Sequence, residues 1–410
     1  MKKIFVIGLG LALCGLFSCN LNLENADGGK ENSDRQIISL ACWNAQTFFD
    51  AEIEGTEYSD YQNLAKWSKD KYLVRLSRLC EVMTSLNADI IVLEEIENAA
   101  VVQDIANQFA GGAWDNSKAW SHACFAKENG AAIGCAVFSR FELKDMKLHS
   151  MQIQSQGEEQ PSTRPVIQVT ADVNGKNLVI FVNHWKSKSG GQEASEIWRD
   201  WQENLVASRV LELQEKAATG DFAVVMCGDF NRDAREFVCE FEGDFSTGEG
   251  SFRSGAAIGT GGGDSHTGVA DFDTGAGELH TRAGNPHTRA GELHTHAAST
   301  SRTTSTPFSS TTPKSSNTIF RGENGRLLRA YSPWFYDSGS FATETGSYYY
   351  ENSWERIDHI FVLGNAMISA FGPKAESPWA GKNSIPNAYR VYSGEGYSDH
   401  LPLSAMLTLW

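Results

Sequence analysis

Zinc-type cysteine spacing is missing from this chain. Its 8 cysteines form no CxxC pair and no Cys–His cadence, which excludes a zinc-finger type of module. Basic residues are outnumbered: 35 Lys and Arg stand against 51 Asp and Glu, a net charge of -16. That balance excludes a broad electrostatic grip on nucleic acid, though not a local one built around bound cations. After the first 19 residues no apolar run is long enough to span a bilayer. Large apolar side chains are nearly absent from about Asp244 to Asn317, so that stretch cannot offset its own ordering entropy. Elsewhere apolar residues are plentiful, 41% of the whole, ample for the core of one large domain or two ordinary ones.

The N-terminus has the look of a targeting segment. Lys2-Lys3 is a basic start, and Ile4 to Phe17 is an apolar stretch short for a membrane span. It closes on Leu16-Phe17-Ser18-Cys19, which resembles a bacterial lipobox, with Cys19 as the acceptor of lipid. Residues 1–19 are therefore expected to be a lipoprotein signal, with ordinary cleavage or an uncleaved anchor as the alternatives. Residues 20–35 read as a flexible tether. The expected location is the bacterial envelope, lipid-anchored on its periplasmic or surface face, or secreted if the lipobox is not used. No protein partner is expected, and the chain is expected to be a monomer.

From Ile37 to Gly243 apolar runs and amphipathic periods alternate. Ile37–Trp43, Ile90–Leu93, Ile133–Ser139 and Ala223–Met226 read as buried strands. Val166–Val173 and Leu178–Val182 flank Asn174-Gly175, a strong hairpin signal. Lys66–Leu86 is predicted as a helix with Leu73, Leu76, Cys80, Met83 and Leu86 on its apolar face, and Glu193–Lys216 as a second. After about Phe320 two more strands follow, Ile357–Leu363 and Leu403–Leu409. Cys42, Cys135 and Cys227 fall in strand-like runs and read as buried free thiols. The mixture implies an α/β sandwich. The segment at about 244–317 reads as a disordered insertion with near-repeats of His-Thr-Arg-Ala-Gly. It holds His266, His280, His287, His294 and His296, either scattered imidazoles of a tolerated expansion or a transition-metal tract.

Polar residues chosen for chemistry sit at the ends of these strands. Glu95 follows a buried strand and suits a hard cation such as magnesium, which takes oxygen ligands and only one or two carboxylates. Its neighbour Glu94 is expected to point the other way, or else to add a second carboxylate. Asn44 ends the first strand and can coordinate or hydrogen-bond. Asp229 and Asn231 lie two apart, the acid able to position or deprotonate a water and the amide to hold a phosphoryl oxygen. His400 can offer an imidazolium to a developing phosphorane, and Asp358 can accept its other N–H and raise its pKa. His359 reads as a core or supporting residue.

Taken together and in this order, Trp43-Asn44, Glu94-Glu95, Asn183-His184-Trp185-Lys186, Gly228-Asp229-Phe230-Asn231, Arg356-Ile357-Asp358 and Ser398-Asp399-His400 resemble the motifs of the endonuclease/exonuclease/phosphatase superfamily. The family's Gln-Glu dipeptide appears here as Glu94-Glu95. The resemblance implies a deoxyribonuclease-I-like fold, a four-layer α/β sandwich of two mixed β-sheets flanked by helices, over residues 36–410. It implies a Mg2+- or Mn2+-dependent phosphodiesterase, with Asn44, Glu95 and Asp399 toward the metal. His184, Asp229, Asn231, Asp358 and His400 would be catalytic, and Arg164 and Lys186 near the substrate. Nucleic acid is the expected substrate, with a phospholipid or inositol phosphate as the rival and a non-catalytic surface lipoprotein as the alternative of another class.

Overall fold

The computed structural model describes residues 35–111, 119–151, 163–217, 222–241 and 316–410. Cys19, the leader, the tether and nearly all of the predicted insertion lie outside the described residues. In chain order the elements are β1 (Gln36–Phe48), α1 (Lys69–Leu86), β2 (Ile90–Ile96), α2 (Ala99–Ala110), β3 (His122–Ala126), β4 (Gly134–Ser139), β5 (Glu142–His149), β6 (Val166–Val173) and β7 (Lys176–His184). There follow α3 (Gln192–Lys216), β8 (Ala223–Asp229), β9 (Val238–Glu240), β10 (Asn317–Arg321), β11 (Leu327–Tyr331), β12 (Tyr348–Tyr350), β13 (Ser353–Glu355), β14 (Asp358–Gly364), β15 (Ala366–Pro373) and β16 (Leu403–Leu409).

Two mixed sheets carry the fold. One runs β15-β16-β1-β2-β4-β3 and the other β5-β6-β7-β8-β14-β11-β10-β9. Each has a parallel pair, β1 with β2 and β7 with β8, between antiparallel neighbours. Side chains alternate across each sheet, so both sheets contribute one apolar face to a shared core. Leu40, Val92 and Leu407 of the first sheet meet Val182, Val225 and Ile360 of the second in it. The opposite face of the first sheet buries Trp43, Ile91 and Leu93 under Leu76, Leu79 and Met83 of α1 and Ile105 of α2. The opposite face of the second buries Phe181, Met226 and Phe361 under Val206 and Val210 of α3. Helix, sheet, sheet and helix thus stack as the predicted α/β four-layer sandwich.

Local signals account for the element ends. Ser68 caps α1 by accepting the Lys71 amide, and Asn87 closes it in the left-handed region. Asn174 and Gly175 both take positive φ, joining β6 to β7 by the tight turn their sequence favours. One predicted helix position is corrected: Leu73 is 45% exposed, because the buried face of α1 runs through Tyr72, Arg75, Leu76 and Leu79 instead. Arg75 holds that inner place by donating to the backbone carbonyls of Ala45, Gln46 and Thr47, which ties α1 to the end of β1.

Candidate active site

The parallel pairs bring four strand ends to one edge of the sandwich. Register places Asn44 beside Glu94 and His184 beside Asp229, and antiparallel β14 starts with Asp358 opposite Asp229. The segment before β16 is pinned on the same edge. Ser398 donates its hydroxyl to the Asn44 carbonyl at 2.7 Å, and Trp43 donates its indole N–H to the His400 carbonyl at 2.9 Å. The cation-facing and phosphate-facing residues expected from the sequence therefore come from the last part of a strand, from a loop beside a strand end, or from this pinned segment.

Glu95 reaches the edge through a bulge. The ladder slips between Glu94 and Ile96, and Glu95 takes a φ of 62°, a left-handed backbone that costs a non-glycine residue about 1 kcal/mol or more. The slip parts the two acids. Glu95 is half-buried, accepts the Thr47 amide, and lies 3.2 Å from Asn44 Nδ2 and 3.5 Å from His184 Nε2. Glu94 turns inward between the sheets, fully buried, and neither of its carboxylate oxygens has a hydrogen-bond partner. Burial drives its pKa well above the usual range, and the Asp358 and Asp229 carboxylates push it in the same direction.

Asp229 is the most tightly held acid. Its Oδ1 accepts the Asn231 amide at 2.8 Å, and its Oδ2 accepts the side-chain amides of Asn44 and Asn231, each at 3.0 Å. Burial and the neighbouring Asp358 push its pKa up to about 7. Asn231 takes a φ of 48° and gives its amide also to the Trp185 carbonyl. Both side-chain amides thus serve to orient Asp229, and the side-chain Oδ1 of Asn44 accepts the Gln46 backbone amide.

Across the site, His400 Nδ1 lies 2.8 Å from Asp358 Oδ2, both groups buried. Burial would lower the imidazole pKa, but Asp358, with Asp399 and Asp229, overcomes it and holds it well above the ordinary value. The imidazolium form of His400 is therefore favoured, with Nδ1 committed to Asp358 and Nε2 as the other donor. Ligand atoms of Asp229, Asp358 and His400 all fall within 4.8 Å of one another. His184 is the opposite case: burial, with Arg164 and His400 nearby, keeps it neutral. Asp399 is half-buried, and burial together with the charge of Glu95 raises its pKa, against the pull of His400.

Arg164 and Lys186 flank this centre. Arg164 donates to the Trp185 carbonyl at 3.4 Å, and its charge works against the burial that raises the Tyr58 pKa. Burial and Arg164 lower the Lys186 pKa, and neither cation is ion-paired to a carboxylate among the described residues. Lys188, two residues beyond Lys186, is held by Glu236 at 3.0 Å and Glu355 at 3.5 Å. His359 is a core residue, bonded to the Arg232 carbonyl and stacked on Phe361. Sequence reasoning left two contributors unassigned. Gly228, at φ 119°, would put a Cβ 2.1 Å from the Asn183 carbonyl and 2.9 Å from Glu94 Oε1, so only glycine fits before Asp229. Ser398 supplies the pin described above; its place directly before Asp399-His400 was the only signal.

The model of the Endonuclease/Exonuclease/phosphatase family matches residues 39–240, which spans β1 to β9. No curated protein matches the sequence. Among solved structures, TDP2 from Caenorhabditis elegans is similar at 11% identity over 92% of this chain and 74% of that one, with a TM-score of 0.46. ANGEL2, a 2',3'-cyclic phosphatase in complex with adenosine-2',3'-vanadate, is similar at 12% identity over 92% and 97%, TM-score 0.47. A mannosyl-6-phosphatase of Bacteroides thetaiotaomicron is similar at 13% identity over 90% and 99%, TM-score 0.43.

Proposed function

The chain belongs to the endonuclease/exonuclease/phosphatase family of metal-dependent phosphoester hydrolases, and from that premise we propose that it is a phosphodiesterase, a nuclease that hydrolyses DNA or RNA at the bacterial cell envelope. One observation carries the reading: the buried Asp358–His400 pair, 2.8 Å apart, stands beside the oriented acid Asp229, with ligand atoms of all three within 4.8 Å of one another. A cation-rich flank supports a polymeric substrate, because Arg164 and Lys186 are placed to take a phosphate next to the one being cut.

The residues present fit a hard divalent cation. Glu95 and Asp399 are oxygen donors that repel each other across the site, and Asp229 adds buried negative charge, an excess that a bound cation neutralises. Magnesium or manganese would be held by Glu95 and Asp399, with Asn44 braced beside them. When bound it supplies Lewis-acid stabilisation of a phosphoryl oxygen.

The side chains supply the rest. Asp229, fixed by three hydrogen bonds, orients a water for in-line attack on phosphorus and takes its proton, a task suited to an acid with a pKa of about 7. His400, kept protonated by Asp358, donates Nε2–H to a non-bridging oxygen as negative charge grows there. Neutral His184 donates one more N–H without demanding a counter-charge. The P–O bond to the departing nucleotide breaks as the bond to water forms; the leaving oxygen takes up a proton from solvent, and Asp229 holds the proton taken from the attacking water until it returns to solvent.

The test offers the full chain plasmid DNA, single-stranded RNA, sphingomyelin and inositol phosphates, with magnesium or EDTA, beside His400→Ala. Cleavage of nucleic acid that needs the metal and falls on the order of 10² to 10⁴-fold in His400→Ala is the expected result. Release of a lipid or inositol phosphate alone would keep the chemistry and replace the substrate. Inactivity throughout would leave a non-catalytic surface lipoprotein. The envelope location rests on Cys19: radiolabelled palmitate should enter the wild-type chain and not Cys19→Ser, and equal labelling of both would remove the anchor.

A further inference from the structure

One wall of the cleft is made of rings rather than charges. The β12–β13 hairpin turns through Glu351 and Asn352, both at positive φ, and pairs Tyr348 with Glu355, Tyr349 with Trp354 and Tyr350 with Ser353. Strand alternation gives it two unlike faces. Tyr349 and Trp354 meet edge to face at 5.0 Å, and Trp354 packs against the core outside the first sheet. The other face turns to the active site. Tyr348 is bridged to His400 through the backbone, with their rings 4.8 Å apart. Tyr350 stacks on Tyr348 at 6.2 Å with planes 15° apart, and Tyr350 is 52% exposed.

A row of rings thus leads from the catalytic imidazole to solvent, in centroid steps of 4.8 Å and 6.2 Å. The same face offers a phosphate no unpaired cation among the described residues: Lys188 is held between Glu355 and Glu236, which together outweigh its charge. Arg164 and Lys186 occupy the phosphate-binding part of the site. A chain of net charge -16 also needs a source of affinity for a polyanion other than electrostatics, and stacking on an aromatic face is indifferent to charge and to sequence.

We propose that Tyr350 and Tyr348 form a stacking subsite for the nucleobase next to the scissile phosphate, and that the enzyme takes single-stranded or frayed nucleic acid. A base inside a duplex has both faces covered by its neighbours, so it must leave the stack to lie on Tyr350. Tyr348 is a shared element: its ring also lies against that of His400, 4.8 Å between centroids. Tyr350 touches no residue of the catalytic set and is the one to vary. This inference rests on the nuclease reading.

The experiment compares wild type, Tyr350→Ala and Tyr350→Phe on a short single-stranded oligonucleotide and on the same strand with an abasic site beside the cleaved bond. KM on the intact strand should rise about tenfold in Tyr350→Ala and stay near wild type in Tyr350→Phe. The abasic strand should cost wild type a similar factor, and Tyr350→Ala should add nothing to it. A 2-aminopurine at that position should be quenched on binding to wild type in EDTA and not on binding to Tyr350→Ala. An unchanged KM in Tyr350→Ala, or an equal loss on both strands, would overturn the subsite while leaving the nuclease. Wild type that cuts no oligonucleotide at all would overturn the nuclease reading, and the subsite with it.

Discussion

Asp358 Oδ2 accepts the Nδ1 proton of His400 at 2.8 Å inside a buried edge of the sandwich. The pair fixes the imidazolium in charge and in direction, because only Nε2 is left to face a substrate. It is assembled from two sheets: Asp358 opens β14, and His400 stands just before β16, pinned to β1.

Replacing Asp358 with Asn should therefore act through His400. The folded-state pKa of His400 lies above its unfolded value, so the stability it contributes is full below about 6.5 and is lost as pH rises through the raised value. In Asp358→Asn the imidazole should deprotonate at a lower pH. The alkaline limb of the rate profile should move down by a unit or more, with kcat at pH 8 lower on the order of 10²-fold. A kcat–pH series for the two proteins checks this; an unmoved alkaline limb would separate activity from the charge of His400.

Much of this site was legible because its residues end strands that are buried on both faces. Such strands read as unbroken apolar runs, and the polar residue that stops each run marks the edge. Register follows from the same runs, since a one-residue slip would turn His184 or Asp229 into the core. Other elements were opaque for physical reasons. Strand β5 is largely exposed along its length, so it has no apolar period to read. Helix α2 is the exception: its buried Val101, Val102, Ile105 and Phe109 keep helical spacing behind the Asn98 cap, so its period was there to be read. Strands β9, β12 and β13 have three residues each and are defined by their partners. The bulge at Glu95 depends on the register of β2 against β4, a long-range pairing that no local pattern encodes.

Metal binding should be linked to proton release. Burial and Asp358 leave Asp229 with a pKa of about 7, so in the metal-free protein at neutral pH it is protonated in part, and a cation favours the charged form. Titration calorimetry with manganese in buffers of different ionisation enthalpy should detect protons released at pH 6.5 and few at pH 8.5. Affinity should rise with pH up to about 7 and then level off. Glu95→Gln should weaken manganese binding on the order of 10-fold or more at every pH. Unaltered affinity in that variant would remove Glu95 from the ligand set.

Gly228→Ala should fail structurally rather than chemically. The added Cβ would lie 2.1 Å from the Asn183 carbonyl at a φ of 119°, and β7 and β8 are hydrogen-bonded along this line. The parallel pair would have to part, at a cost of roughly 3 kcal/mol or more. A large drop in melting temperature or insoluble expression is expected. A variant that melts near wild type would show that the backbone can turn here without glycine.

Glu94 separates the reactive edge from the core beneath it. The family resemblance leads one to expect Gln at this place, and the surroundings of Glu94 favour the neutral acid, which matches Gln in charge and nearly in shape. Both oxygens are buried without partners, and burial, then Asp358 and Asp229, raise its pKa. Its folded-state value lies above the unfolded one, so the folded protein holds the proton more tightly. Stability is therefore greatest below about 4.5 and declines as pH rises toward the raised value. Glu94→Gln has no proton to lose. Its melting temperature should match wild type near pH 4.5 and exceed it by a margin that widens from pH 6 to pH 9, read by calorimetry in the absence of metal. A margin that is flat with pH would mean that Glu94 gains no proton on folding. Because Glu94 points away from Glu95, manganese affinity in Glu94→Gln should stay within about threefold of wild type, against the larger loss expected for Glu95→Gln. Two adjacent acids on one strand would then be told apart by two different readouts, one of the fold and one of the cation.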